Sequence, residues 1–217
     1  KLALIYVNND FGKGGQTTIK QLLAGSPTQV VAEVSTDQGQ IDFSSAVIQA
    51  KQAGADAIFA YTNVEESARL LRELRKQGWT KPVIGETTLT SSKVVELAGE
   101  AANGAVAHVG LTVEAPPLQD FGKRYQALYN GVPDHNGVKG YTGMYILKAA
   151  IEKAGKVDQK AAAAAIRNSC FSATQHKGVL MDVCFDDKGD LDRESFITEI
   201  RNGKTVVAET LPPLNKK

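Results

Sequence analysis

Three short stretches hold the residues of this 217-residue chain whose types could do chemistry: Asn8-Asn9-Asp10-Phe11, Tyr61-Thr62-Asn63 and Glu86-Thr87-Thr88. They offer two rings, Phe11 and Tyr61, two carboxylates, Asp10 and Glu86, and the hydrogen-bonding side chains of Asn63 and Thr87. That set suits recognition. A ring can stack or pack on a ligand, an amide donates and accepts, and a desolvated carboxylate demands a cationic or donor group. The set lacks a His or Cys nucleophile, and no serine lies in a nucleophile-elbow motif. Each residue also has a plainer reading: a cap or turn for Asn63 and Glu86, a contact that holds its loop for Phe11.

Cofactor motifs are absent or broken. Gly12-x-Gly14-x-x-Thr17 follows an apolar run and opens a helical pattern, as a dinucleotide fingerprint does, but the third glycine is missing. Asp10 stands where its charge would oppose a pyrophosphate. Lys13 to Thr17 has no Walker spacing. Asp186-Asp187-Lys188-Gly189-Asp190 is acidic but lacks the alternating ligands and distal Glu of a calcium loop, so it reads as a turn between strands. His108 falls in a strand, His135 and His176 in loops. The expectation is a protein that is not an enzyme and uses neither cofactor nor metal.

The elements that position these stretches are legible. Leu2 to Val7 is a continuous apolar run bounded by turn residues, the pattern of a strand buried on both faces. Asp10 suits the N-cap of the next helix, with Ile19, Leu22 and Leu23 on its apolar stripe. Gln29 to Ser35 is a second strand, and Asp42 can cap a helix carrying Phe43, Ala46, Val47 and Ala50. Ala57 to Tyr61 is the third strand. Thr62 and Asn63 cap a helix with Ala68, Leu70, Leu71 and Leu74 that closes at Gly78. Pro82 to Gly85 leads the fourth strand, Ser91 or Ser92 starts a short helix, and Gly104 to Gly110 is the fifth strand. Five strand–helix alternations with short loops predict a parallel, flavodoxin-like α/β sheet with helices on both faces. The three candidate stretches then share the carboxyl edge of the sheet, where open α/β folds bind ligands.

Leu111 to Leu118, with adjacent prolines, leaves the sheet. Three helices follow: Asp120 to Tyr129, about Gly140 to Ala154, and Gln159 to Arg167. No strand lies among them for their apolar faces to cover. Val179 to Phe185 returns to β structure. Phe196 to Arg201 and Thr205 to Glu209 form a hairpin around Asn202-Gly203.

Net charge is +1, which leaves no electrostatic footprint for nucleic acid or an anionic membrane. No apolar run reaches the ~20 residues of a membrane helix. The chain opens directly on a strand with no leader pattern, which suggests a mature or shortened piece of something longer. Cys170 and Cys184 are either two small buried hydrophobes or a disulfide formed in an oxidising compartment.

Leu4 to Gly12 (LIYVNNDFG), Asp56 to Arg72 (DAIFAYTNVEESARLLR), Asp120 to Tyr125 (DFGKRY) and Phe185 to Asp190 (FDDKGD), in this order and spacing, resemble type I periplasmic substrate-binding proteins. Within them the resemblance is to the branched-chain amino acid-binding (Leu/Ile/Val-binding-protein-like) branch of the ABC importers, and it covers essentially the whole chain. Such proteins have two lobes joined by three crossings and close on a ligand. The resemblance implies that residues 1–112 are the second-lobe sheet domain, 113–175 helices of an incomplete first lobe, and 176–217 strands and a hairpin returning to the second lobe. It implies a C-terminal piece lacking most of the first lobe, about a hundred residues. It also implies an apolar patch on the uncovered helices through which the piece could self-associate. The implied function is extracytoplasmic, periplasmic capture of a small ligand, an amino acid or a small aromatic acid or amide, for a membrane permease. Phe11, Asn63 and Glu86-Thr87 match the positions that face the family's cleft, with Asp10 and Tyr61 beside them. The family's amino-acid binders carry a tyrosine where Asn63 stands. The alternatives are a ligand-sensing receptor domain of the same fold, or an enzyme or signalling domain on a flavodoxin-like sheet.

Overall fold

The computed structural model describes residues Lys1–Leu214. The chain runs β1 (Leu2–Val7), α1 (Asp10–Leu23), β2 (Val30–Thr36), α2 (Ser44–Gln52), β3 (Ala57–Tyr61), α3 (Val64–Lys76) and β4 (Val83–Gly85). A 3-10 turn (Thr87–Thr90), α4 (Ser92–Ala98), a second 3-10 turn (Gly99–Ala102) and β5 (Ala105–Val109) follow. Then come a third 3-10 turn (Pro116–Leu118), α5 (Gln119–Tyr129), α6 (His135–Ala154) and α7 (Gln159–Ile166). The chain ends in β6 (Cys170–Phe171), β7 (Val183–Phe185), β8 (Leu191–Asp192), β9 (Ser195–Arg201) and β10 (Lys204–Leu211). Among the described residues no helix is long and apolar enough to cross a membrane.

The fold is mixed α/β, as the alternation predicts. One sheet has the order β10-β9-β5-β4-β3-β1-β2, and β2, β1, β3, β4 and β5 pair in parallel. β1 sits between β2 and β3, with Ile5 beside Val34 and Ala60. Its six residues include none that is exposed, as a strand flanked and covered on every side requires. The chain leaves β1 toward β2 and returns to β3 on the other side. The carboxyl ends of β1 and β3 therefore bound the crevice where strand order reverses. The 3-stranded sheet β6-β7-β8 is separate and antiparallel.

By density of internal contacts the chain divides into two compact units, Lys1–His108 with Thr198–Ala208, and Val109–Ile197 with the residues after Ala208. In the first unit, Ile5, Val47, Ile58, Leu70, Leu71 and Leu74 are wholly inaccessible to solvent. The three leucines are the apolar stripe of α3, whose polar side chains fasten the surrounding loops. Glu66 is 2% exposed and accepts a hydrogen bond from the Gly39 N–H at 2.6 Å, while Arg69 donates to the carbonyls of Gly39 and Gln40. Arg75 donates to the carbonyls of Trp79, Ala101 and Asn103, and so holds the turn that buries Trp79, the single tryptophan of the chain. Asn202 and Gly203 both have positive φ, 50° and 70°, as the two-residue turn of the β9–β10 hairpin demands.

In the second unit, α6 and α7 pack on the small sheet through Ile146, Ala149, Ala150, Phe171, Val179 and Val183. The Asp134 and Asp158 side chains accept hydrogen bonds from the Gly137 and Ala161 N–H groups and so cap these helices. Cys170 and Cys184 are joined in a disulfide that links β6 to β7. The opposite faces of α5 and α6 leave Leu128, Tyr129, Met144 and Leu147 exposed.

Several local expectations are corrected. Asn9, not Asp10, is the N-cap of α1: its backbone is extended and its Oδ1 accepts the Gly12 N–H at 2.9 Å, which leaves Asp10 as the first helical residue. α5 starts one residue earlier than expected, at Gln119, so Asp120 lies inside its first turn and pairs with Arg124 one turn on. α6 begins at His135, so this histidine is helical, because Asp134 supplies a cap six residues ahead of Gly140. The strand expected from Val179 shrinks to Val183–Phe185, and two of the three helices that lacked a sheet in the sequence, α6 and α7, pack on β6 and β7.

Candidate ligand-binding site

Tyr61 is the last residue of β3 and lies beside Tyr6 of β1. Its ring packs at 4.5 Å, centroid to centroid and tilted by 42°, on Phe11, and at 6.3 Å on Phe59. Two glycines of α1 make this packing possible. A Cβ on Gly12 would fall 1.9 Å from the Val7 carbonyl oxygen, so only glycine lets the helix start directly over the end of β1. One turn later, a Cβ on Gly15 would stand 2.4 Å from the Tyr61 ring. Gly14 faces open space. The glycines that matter are thus three apart on one helix face and serve helix–strand packing, not the approach of a pyrophosphate. The i, i+3 spacing of Gly12 and Gly15 was the available signal for this seat.

Phe11, the second residue of α1, remains 40% exposed above Tyr61. Asp10 precedes it, exposed, where a first-turn acid favours the helix dipole. Asn63 is the N-cap residue of α3, with extended backbone (φ −71°, ψ 180°) and a carbonyl that accepts the Ser67 N–H at 2.9 Å. Its side chain makes no capping hydrogen bond. The neighbouring Thr62 hydroxyl is buried against Ser67 Oγ at 2.8 Å, so the loop is fixed by Thr62 rather than by Asn63.

Glu86 follows β4 and caps the 3-10 turn, its Oε1 accepting the Thr88 N–H at 2.9 Å. It is half-buried, and its charge bears on Tyr61. Burial first, and the Glu86 carboxylate second, push the Tyr61 phenol above its ordinary pKa. Phe11, Tyr61 and Glu86 are therefore one cluster at the ends of β1, β3 and β4, with Asn63 two residues beyond Tyr61. Thr87 turns toward β5, its hydroxyl 3.5 Å from the His108 carbonyl oxygen. An apolar hollow lined by Leu2, Ile19, Leu22, Ala57, Phe59 and Ile84 involves the opposite, amino ends of β1 and β3 and offers little to orient a polar ligand.

Asp186 has a structural part. Its Oδ1 accepts the N–H groups of Lys188 and Asp190, and these backbone hydrogen bonds hold its carboxyl below the usual carboxylate range. Among the described residues no group of three or more His, Cys, Asp or Glu side chains is placed to share a metal ion.

The carboxyl ends of β1, β3 and β4 in this open α/β sheet thus carry two rings, an amide and a carboxylate. The chain belongs to the periplasmic binding protein family, whose model matches residues 1–205. The leucine-, isoleucine-, valine-, threonine- and alanine-binding protein of Pseudomonas aeruginosa is 25% identical over 203 residues, 90% of this chain and 51% of that protein. The crystal structure of a leucine-binding protein from Thermotoga maritima matches with a TM-score of 0.84 at 22% identity, over 98% of this chain and 60% of that one. A solute-binding protein from R. palustris in complex with benzoate matches with a TM-score of 0.81 at 18% identity, over 100% and 60%. At these identities the two structures bear on the fold alone. The chain spans about half the length of the curated relatives it matches.

Proposed function

We propose that this chain supplies ligand-gripping residues of an extracytoplasmic solute-binding protein. The ligand is a small polar or amphipathic molecule: a branched-chain or other hydrophobic amino acid, or a related small acid or amide. The observation that carries the reading is the Phe11–Tyr61 ring pair with Glu86 beside it at the reversal of strand order. The rings give an apolar seat. Asn63 adds an amide not engaged in capping. Glu86, dried by closure over the ligand, favours an ammonium group. Delivery is to a membrane permease of the ABC importer class, and the protein works in the periplasm. The family match and relatives named as amino acid-binding proteins support both readings.

Thermal-shift screening and calorimetry of the full-length protein against amino acids and small aromatic acids test this reading. Glu86→Gln is expected to weaken leucine by roughly 10–100-fold, the worth of a hydrogen bond to a charged partner. It should leave 4-methylpentanoate, which has the same carbon skeleton and carboxylate but no ammonium, nearly unchanged. Equal losses for the two would remove the assigned role of Glu86.

A further inference from the structure

His108 stands in the same row of side chains as Tyr61 and Glu86, within the first unit. Phe59 of β3 pairs with Ile84 of β4, and Ile84 with Val106 of β5. Two residues further toward the carboxyl end of each strand come Tyr61, Glu86 and His108. Side chains two apart on a strand share a face. Glu86 keeps extended backbone, φ −90° and ψ −178°, so the alternation persists past the end of β4. Burial follows it. On β5, Ala105 and Ala107 are buried, whereas Val106 is half-buried and His108 exposed. Phe59, Tyr61 and Ile84, on the matching face of β3 and β4, are also half-buried. Two contacts place the row's members side by side: the Glu86 carboxylate bears on the Tyr61 phenol, and the Thr87 hydroxyl lies 3.5 Å from the His108 carbonyl oxygen.

Neighbouring strands are about 4.8 Å apart, so a ring, a carboxylate and an imidazole follow one another at that interval across the carboxyl edge. The order suits one small molecule. An apolar chain rests on the rings. An ammonium meets Glu86. An oxygen on the neighbouring carbon of the same molecule then needs a donor, which a carboxylate such as Glu86 or Asp10 does not supply. The Thr87 hydroxyl is turned to the His108 carbonyl. The imidazole beside Glu86 can donate. We propose that His108 donates a hydrogen bond to an oxygen, of a carboxylate or a hydroxyl, borne by the carbon next to the one that carries the ligand's ammonium. The proposal rests on the solute-binding reading above and adds the second polar group that the ligand must carry.

The test is calorimetry on the full-length protein with leucine, leucinol and 3-methylbutylamine. The three share a branched chain and an ammonium, and carry beside it a carboxylate, a hydroxyl and neither. His108→Ala is expected to weaken leucine and leucinol by roughly tenfold and 3-methylbutylamine by less than about twofold, as loss of one hydrogen bond requires. His108→Gln, which keeps a donor, should recover part of the loss for both oxygen-bearing probes. A loss confined to leucine supports the proposal with a carboxylate as the oxygen, and one confined to leucinol supports it with a hydroxyl. Equal losses for all three, or none, would overturn the proposal while sparing the solute-binding reading. Failure of the wild type to bind any of the three would overturn it as well, and failure of benzoate besides would remove the solute-binding reading with it.

Discussion

Gly15→Ala is expected to destabilise the protein by ~1–3 kcal/mol, the usual cost of forcing extra atoms into a filled interior, and to weaken ligand binding more than about tenfold. The added methyl would stand 2.4 Å from the Tyr61 ring, so either the ring or the helix must move. Displacing the ring breaks the 4.5 Å contact with Phe11 that is proposed as the apolar seat. Two further variants separate this from a general helix effect. Gly14→Ala, one position away on an open face of α1, should gain ~0.5–1 kcal/mol, because alanine is the better helix former. Gly15→Ala combined with Tyr61→Ala should cost less than the sum of the single changes, with a coupling of at least ~0.5 kcal/mol. Urea denaturation of the four proteins gives the cycle. Strict additivity would mean that Gly15 and Tyr61 do not share the space that the geometry gives them.

The second large effect falls on the other unit. Replacing both Cys170 and Cys184 by alanine is expected to cost about 3 kcal/mol, the loop-closure value for a bridge spanning 14 residues. Both cysteines are exposed, so a thiol reductant should reproduce the loss without mutation. β6 and β7 are two and three residues long and pair through Cys170 with Cys184 and Phe171 with Val183, too little ladder to persist by itself. Their removal would also take Phe171 and Val183 from the surface that α6 packs on. Because the chain contains two compact units, the loss should appear as early melting of one unit rather than a shift of a single transition. Amide exchange at Phe185, whose N–H donates to the Ser169 carbonyl, should accelerate while Ile5 and Ile58 stay protected. Identical exchange at Phe185 in the oxidised and reduced proteins would count against this account of the bridge.

The sheet was legible because its evidence is periodic and repeated. Apolar runs such as Leu2 to Val7 and Ala57 to Tyr61 alternate with stripes such as Leu70, Leu71 and Leu74, and Asn202-Gly203 announces its hairpin. β6 and β8 escape such reading: two residues carry no period, and their pairing is set by a covalent bond and by the helices they support. The cap of α1 was ambiguous for another reason. Asn9 and Asp10 are both good caps, and which one holds extended dihedrals depends on how Val7 meets Gly12 in space. At the site, composition pointed to Phe11, Tyr61, Asn63 and Glu86, but not to the hydrogen bond that engages Glu86 with Thr88 or to the seat of Tyr61 under Gly15.

The single tryptophan gives the molecule an uneven optical signature. Trp79 is buried in the first unit, under the turn held by Arg75, with the Lys81 ammonium 5.6 Å from its ring. The second unit has no indole, yet holds four of the six tyrosines, Tyr125, Tyr129, Tyr141 and Tyr145. Light absorbed at the red edge, where only indole responds, therefore watches the first unit alone. A denaturation curve recorded that way is blind to the disulfide-linked unit, whose opening registers in tyrosine emission instead. One cuvette can thus follow both halves by choice of wavelength, with no label attached.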